Sequence, residues 1–360
     1  MKKILSILLI QITVLFSFTA LAMAQTGVFK GKDAAYWIER LNKKEAEENK
    51  QNQTRWYAAY ALGEIGPEAS GAVDALGERL LDPAEYEYTR AACAWALGRI
   101  QNEKAVDILA QALQSKMNAV RISAAQSLGL FGSKGGSAAD SLKAILTGKS
   151  PEDDSTEKDS SETAPKLIPA VKAACAAALW KISEVNSENA TLASTTLLEM
   201  LKMNSTQNRI AALSELVVLA KNPQMDFAPF HKTLALLFEK SSNDDIARDC
   251  GAILMAKGQN SLIEVLLKNE NAFVRRRALR TICQAAEAGK TTQNDQAGYV
   301  LPTEQILPLA QDENAQVRVW AVRALGLVIN NPEVESVVVK AVDDEDIYVK
   351  KAARRALNKL

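Results

Sequence analysis

The sequence predicts an all-α fold, a right-handed superhelix of about eight two-helix repeats. Three observations carry that reading: a basic residue that returns along the chain, small and apolar residues at fixed helical offsets from it, and turn-forming residues between the helical stretches. Composition agrees with it. With 48% hydrophobic and 24% charged residues, the chain has material for a core and does not read as a disordered tail or a fibre. Its 43 basic and 43 acidic residues cancel, so no net field recruits nucleic acid or an anionic membrane.

The chain opens with Lys2 and Lys3, an apolar run from Ile4 to Phe18, and Ala22-Met23-Ala24 ahead of Gln25. A charged start, a short apolar stretch and a small-x-small site describe a secretory signal peptide over 1–24, removed on export to the periplasm or cell exterior. The competing reading is an uncleaved anchor, since Ile4 to Met23 could nearly span a bilayer. Polar Gln11, Thr13 and Ser17 argue against it, and no membrane span is expected after cleavage. Cleavage removes two lysines and no acid, leaving a net charge of −2.

Residues 25–53 are expected to form an N-terminal capping segment, with a helix at Ala34–Leu41, and the repeats to fill 54–360. The anchors are Arg55, Arg90, Arg121, Lys172, Arg209, Arg248, Arg275, Arg318 and Lys350. Three residues on comes a small side chain: Ala58, Cys93, Ala124, Cys175, Ala212, Gly251, Ala278, Ala321 and Ala353. Seven residues on comes an apolar one: Leu62, Leu97, Leu128, Leu179, Leu216, Met255, Ile282, Leu325 and Leu357. Offsets of three, seven and ten share one stripe of a helix, and the small residue lets neighbouring helices approach. At offset ten the pattern fails at Gly258 and Ala285, and the Arg248 repeat is the poorest fit.

Second helices follow at Ala72–Leu81, Ala105–Leu113, Leu192–Leu201, Pro229–Phe238, Ser261–Leu267, Thr303–Ala310 and Val334–Val342, separated from the first by breakers such as Gly66-Pro67 and Asn330-Asn331-Pro332. No strand alternation is evident. Two insertions stretch the anchor spacing. Residues 147–166 hold six acids among serines, threonines and prolines and read as a disordered loop; 288–300 is polar. At the far end Lys351, Arg354, Arg355 and Lys359 give a charged face suited to capping the stack.

The pattern Arg-x-x-Ala-Ala-x-Ala-Leu-Gly-x-Ile-Gly, followed by Ala-Val-x-x-Leu, resembles the HEAT-like repeats of the short type first recognised in phycobilisome lyases. The resemblance covers 54–360, or 34–360 with the capping helix. It implies a curved solenoid whose second helices line the concave side, and it says almost nothing about chemistry.

Export raises the question of disulfides among Cys93, Cys175, Cys250 and Cys283. Cys93 and Cys175 occupy the small-residue site two repeats apart, too far to bridge. Cys250 and Cys283 sit at offsets two and eight, so four buried free thiols are expected. His231 is the only imidazole, which rules out a two-histidine metal site, and a helical histidine is the simpler account of it. Gly148-Lys149-Ser150 imitates a P-loop ending but has Lys143 where the first glycine belongs. Trp56, Trp95, Trp180 and Trp320 fall at different offsets and read as separate core plugs. The cluster Arg275-Arg276-Arg277 with Arg280 reads as ion-pair partners for acids such as Glu270.

Asp74, Asp107 and Asp140 lie 33 residues apart, each third in Ala-Val-Asp or Ala-Ala-Asp at the start of a second helix. An acid there complements the helix dipole, by about 0.3–1 kcal/mol. Stacked repeats would also turn the three into an acidic ladder. With Glu78, Gln111 and Lys143 they form the candidate partner-binding surface. No catalytic residue, metal site or cofactor is assigned. The expected function is an exported, monomeric, non-catalytic scaffold that binds a protein partner on its concave face. The alternatives are an enzyme accessory or lyase-like subunit and a purely structural envelope spacer.

Overall fold

The computed structural model describes residues 27–44, 47–148, 167–291 and 299–358. The expected signal peptide 1–24, most of the acidic insertion and residues 359–360 lie outside the described residues. No helix among the described residues is long and apolar enough to cross a membrane. The chain divides into two compact units, Met1–Met200 and Leu201–Leu360.

The first unit begins with a two-stranded antiparallel hairpin, β1 (Val28–Phe29) and β2 (Lys32–Asp33), in register Val28 to Asp33 and Phe29 to Lys32. Its turn residues Lys30 and Gly31 both have positive φ, 49° and 71°, as a two-residue hairpin requires. Two-residue strands are too short to show alternation, so no sequence pattern announces them. Asp33 then caps α1 (Ala34–Asn42) by accepting the Tyr36 N–H.

The first helices of this unit are α2 (Glu48–Ile65), α4 (Glu87–Ile100), α6 (Asn118–Leu128) and α8 (Pro169–Ile182), each packed on the next. Between them run α3 (Val73–Leu81), α5 (Ala105–Ala112) and α7 (Ala139–Thr147); α9 (Glu188–Lys202) follows α8. Helix α2 begins ahead of residue 54, so the expected boundary falls inside it. The small residues Ala58, Cys93, Ala124 and Cys175 and the leucines Leu62, Leu97, Leu128 and Leu179 are all fully buried. Each such leucine contributes about 1.5–3 kcal/mol.

A second close approach lies eight residues after the anchor. A Cβ built on Gly63 would stand 3.0 Å from the Ala96 Cα, on Gly98 2.9 Å from the Ser127 Cα, and on Gly129 3.3 Å from the Ala178 Cα. The glycine after the offset-seven leucine thus seats the next first helix.

In the second unit the first helices are α10 (Thr206–Leu219), α12 (Asp244–Ala256), α14 (Ala272–Thr291), α16 (Ala315–Leu325) and α18 (Ile347–Leu357). The second helices are α11 (His231–Lys240), α13 (Asn260–Glu264), α15 (Thr303–Ile306) and α17 (Pro332–Lys340); α13 and α15 tighten into 3-10 turns at their ends. In α18, Lys351, Arg354 and Arg355 are exposed.

Anchor arginines serve orphan carbonyls at the ends of second helices. The Nε groups of Arg90, Arg121 and Arg209 donate to the carbonyl oxygens of Leu80, Leu113 and Leu201 at 2.8, 3.2 and 3.1 Å. Arg275 Nη1 donates to Asn269 and Glu270, and Arg318 Nη1 to Asp312 and Glu313.

One anchor is displaced. Arg248 is exposed, while Ala247, Cys250, Gly251, Ile253 and Leu254 are buried. The register of α12 therefore starts at Ala247, one residue earlier than the sequence pattern puts it. Leu254 replaces the half-buried Met255 at offset seven, and Cys250 moves to the small-residue offset beside Cys93 and Cys175. A search keyed on basic residues selects Arg248 because the true anchor carries no charge. Its task passes to Arg277 on α14, which donates to the carbonyl oxygens of Phe238 and Ser241 and to Asp244 Oδ1.

Candidate functional site

The six candidate residues all lie on second helices of the first unit. Asp74, Asp107 and Asp140 occupy the first turns of α3, α5 and α7 and are exposed, as are Glu78 and Gln111. Between repeats, Ser137 Oγ donates to Asp107 Oδ1 at 3.5 Å. Lys143 is half-buried and holds Glu188 at 3.3 Å.

All four cysteines are buried and none forms a disulfide. Burial, with the charge of Glu85, pushes the Cys93 thiol up; burial, with Asp249, pushes the Cys250 thiol up to about 12. A thiolate nucleophile is disfavoured at both. His231, the first residue of α11, is held below the usual imidazole range by burial, and its Nε2 has no hydrogen-bond partner. No group of three or more His, Cys, Asp or Glu able to hold a metal occurs among the described residues.

The arginine cluster is absorbed by structure, with different partners from those expected. Arg275 takes Asp312 of the next repeat through Nε and Nη2, both at 2.8 Å, and meets Glu270 only at its carbonyl. Arg318 repeats the arrangement with Asp344, and Arg55 donates to Glu85 through Nη1 alone at 2.8 Å. Arg276 and Arg277 lie over the Phe273 ring, and Arg280 over Trp320. A cleft of about 390 Å³ beside Arg318 and Asp344 is lined also by Gln311, Val337, Lys340 and Glu345.

Trp56 and Trp95 are not separate plugs. Trp180 is buried, but Trp56 is 43% exposed. Its ring stacks on Tyr60 (6.0 Å between centroids, 12° between planes), and Tyr60 stacks on Trp95 (5.3 Å, 8°). Below them Phe29 meets Trp37, Tyr57 and Tyr60 edge-on. Tyr60 and Trp95 share offset five, so aligning tyrosines together with tryptophans would have exposed the row.

The HEAT repeats family model matches residues 73–157 and 303–360, and that of the PBS lyase HEAT-like repeat matches 54–82. No curated protein matches the sequence. Among solved structures, the chain is similar to an engineered protein at 19% identity and TM-score 0.36, over 91% of this chain and 88% of that one. It is similar to a chain from a structure of Kap95p with RanGDP at 12% and 0.44, over 90% and 45%. Against the CpcE–CpcF complex of phycocyanin lyase from Nostoc sp. PCC7120 the values are 19% and 0.42, over 84% and 96%.

Proposed function

This chain is a HEAT-repeat protein, and on that premise we propose that it is an exported, monomeric scaffold that binds a protein partner without turnover. The binding surface is the row of second helices in the first unit, with Asp74, Glu78, Asp107, Gln111, Asp140 and Lys143.

One observation carries this reading: adhesion between repeats uses the anchor arginines, the small residues and the offset-eight glycines, and leaves that polar row on the surface. Asp74, Asp107 and Asp140, repeated at equivalent helical positions, offer regularly spaced contacts to an extended partner. The buried thiols and the buried imidazole nitrogen support a role without catalysis.

The test places a photo-crosslinking side chain at Glu78 or Gln111 of the full-length chain expressed in cells. One reproducible protein adduct, lost when Asp74, Asp107 and Asp140 are changed to Lys, is expected. Turnover of a substrate by the purified chain would overturn the scaffold, and the lack of any reproducible adduct would leave the spacer role. Export predicts a chain recovered outside the cytoplasm that has lost residues 1–24.

A further inference from the structure

The stacked rings lie on the first helices, away from the row just proposed. We infer that the surface built around Trp56, Tyr60 and Trp95 is a binding site for an acidic saccharide.

The platform is rigid before any ligand arrives. The Trp95 indole lies across Gly63 so closely that a Cβ there would stand 2.3 Å from its Cζ3. Tyr60 is clamped between Trp95 and Trp56, with Phe29 edge-on at 5.8 Å. Its hydroxyl is hydrogen-bonded to Glu64. Side chains already fixed lose little entropy on binding. What remains open is the Trp56 ring, a flat apolar surface of the kind on which the C–H face of a pyranose packs by dispersion.

Charge sets the ligand's sign. Lys30 sits 5.3 Å over the Tyr57 ring and Arg99 5.8 Å over Trp95. Neither has a carboxylate partner among the described residues, whereas the anchors Arg55, Arg275 and Arg318 are each paired with an acid. Two cations outnumber Glu64, the acid held at Tyr60, and complement a sugar that carries a carboxylate or sulfate.

Extent and setting separate this ligand from other classes. In the next repeat offset five is Gln126 and offset nine is Leu130, so neither ring nor cation continues. A nucleic-acid strand needs a cationic track with rings along it, and this platform ends after two repeats. An apolar protein surface would have to desolvate Lys30 and Arg99, at a cost that a carboxylate-bearing sugar avoids.

The experiment titrates the intact protein with oligogalacturonate, a heparin fragment and a sialylated oligosaccharide, reading tryptophan fluorescence and calorimetry. A neutral cello-oligosaccharide is the control. Saturable binding of an acidic saccharide, weakened by salt, is expected. Trp56→Ala lowers that affinity about tenfold or more with helicity unchanged, because Trp56 is exposed. Lys30→Gln with Arg99→Gln removes the preference over the neutral sugar. The inference is overturned if no acidic saccharide binds or if Trp56→Ala binds as tightly as the native chain. It is equally overturned if polyglutamate or oligothymidylate competes as well as the sugar, which would assign the surface to protein or nucleic acid.

Discussion

Arg318 and Asp344 meet through two parallel hydrogen bonds, Nε to Oδ2 and Nη2 to Oδ1, both 2.9 Å. The same guanidinium donates backwards to the Asp312 and Glu313 carbonyls, so one side chain ties the loop before its helix to the loop of the next repeat. Truncation would orphan two carbonyls and a largely buried carboxylate. Arg318→Ala is expected to cost about 3 kcal/mol in urea unfolding.

The same pair makes a pH prediction. Burial opposes ionisation of Asp344, but the Arg318 hydrogen bonds, the Asp346 amide and the charges of Arg318 and Lys350 outweigh it and hold the carboxyl below the usual range. Its stabilisation is therefore complete above the unfolded value of about 3.9 and is lost as pH falls through the lower folded value. The stability excess of the native chain over Asp344→Asn is expected to stay constant from neutrality to about pH 4 and to shrink only below it.

His231 acts in the opposite range. Its folded value is depressed, so the unfolded chain takes up the proton first as pH falls below about 6.5. Native stability is expected to drop through that window relative to His231→Gln. With one imidazole in the chain, its NMR titration reads the folded value directly; a midpoint at or above the ordinary one would contradict the burial.

The displaced register of α12 predicts an inversion of importance. Arg277→Ala leaves the Phe238 and Ser241 carbonyls without their donor and is expected to cost about 2–3 kcal/mol. Arg248→Ala, at the anchor the sequence suggests, is expected to stay within about 0.5 kcal/mol. Denaturant midpoints of the two variants distinguish the registers.

Gly63→Ala forces a methyl against the Trp95 ring and the Ala96 backbone. It is expected to lose about 1–3 kcal/mol and to shift tryptophan emission. Gly71, which has nothing within 4 Å, is the control.

Helix positions were legible because apolar spacing and breakers are local signals. The first-turn positions of Asp74, Asp107 and Asp140 were legible for the same reason. What escaped depends on who meets whom across repeats. Ala247 hides an anchor because Arg277 supplies its charge from another helix, and Asp312 pairs with Arg275 from 37 residues away. The Trp56–Tyr60–Trp95 stack mixes residue types across two helices and one glycine, so no single-letter pattern announces it.

The most direct measurement compares partner crosslinking with unfolding midpoints in two sets of variants. With the crosslinker at Gln111, alanine at Asp74, Glu78, Asp107, Asp140 and Lys143 is predicted to abolish the adduct while lowering the midpoint by no more than the dipole contributions of the three aspartates, about 0.3–1 kcal/mol each; Arg318→Ala is predicted to lower the midpoint while the folded fraction still crosslinks. Row variants that unfold the chain, or that crosslink as the native protein does, would contradict the division between adhesive and binding residues.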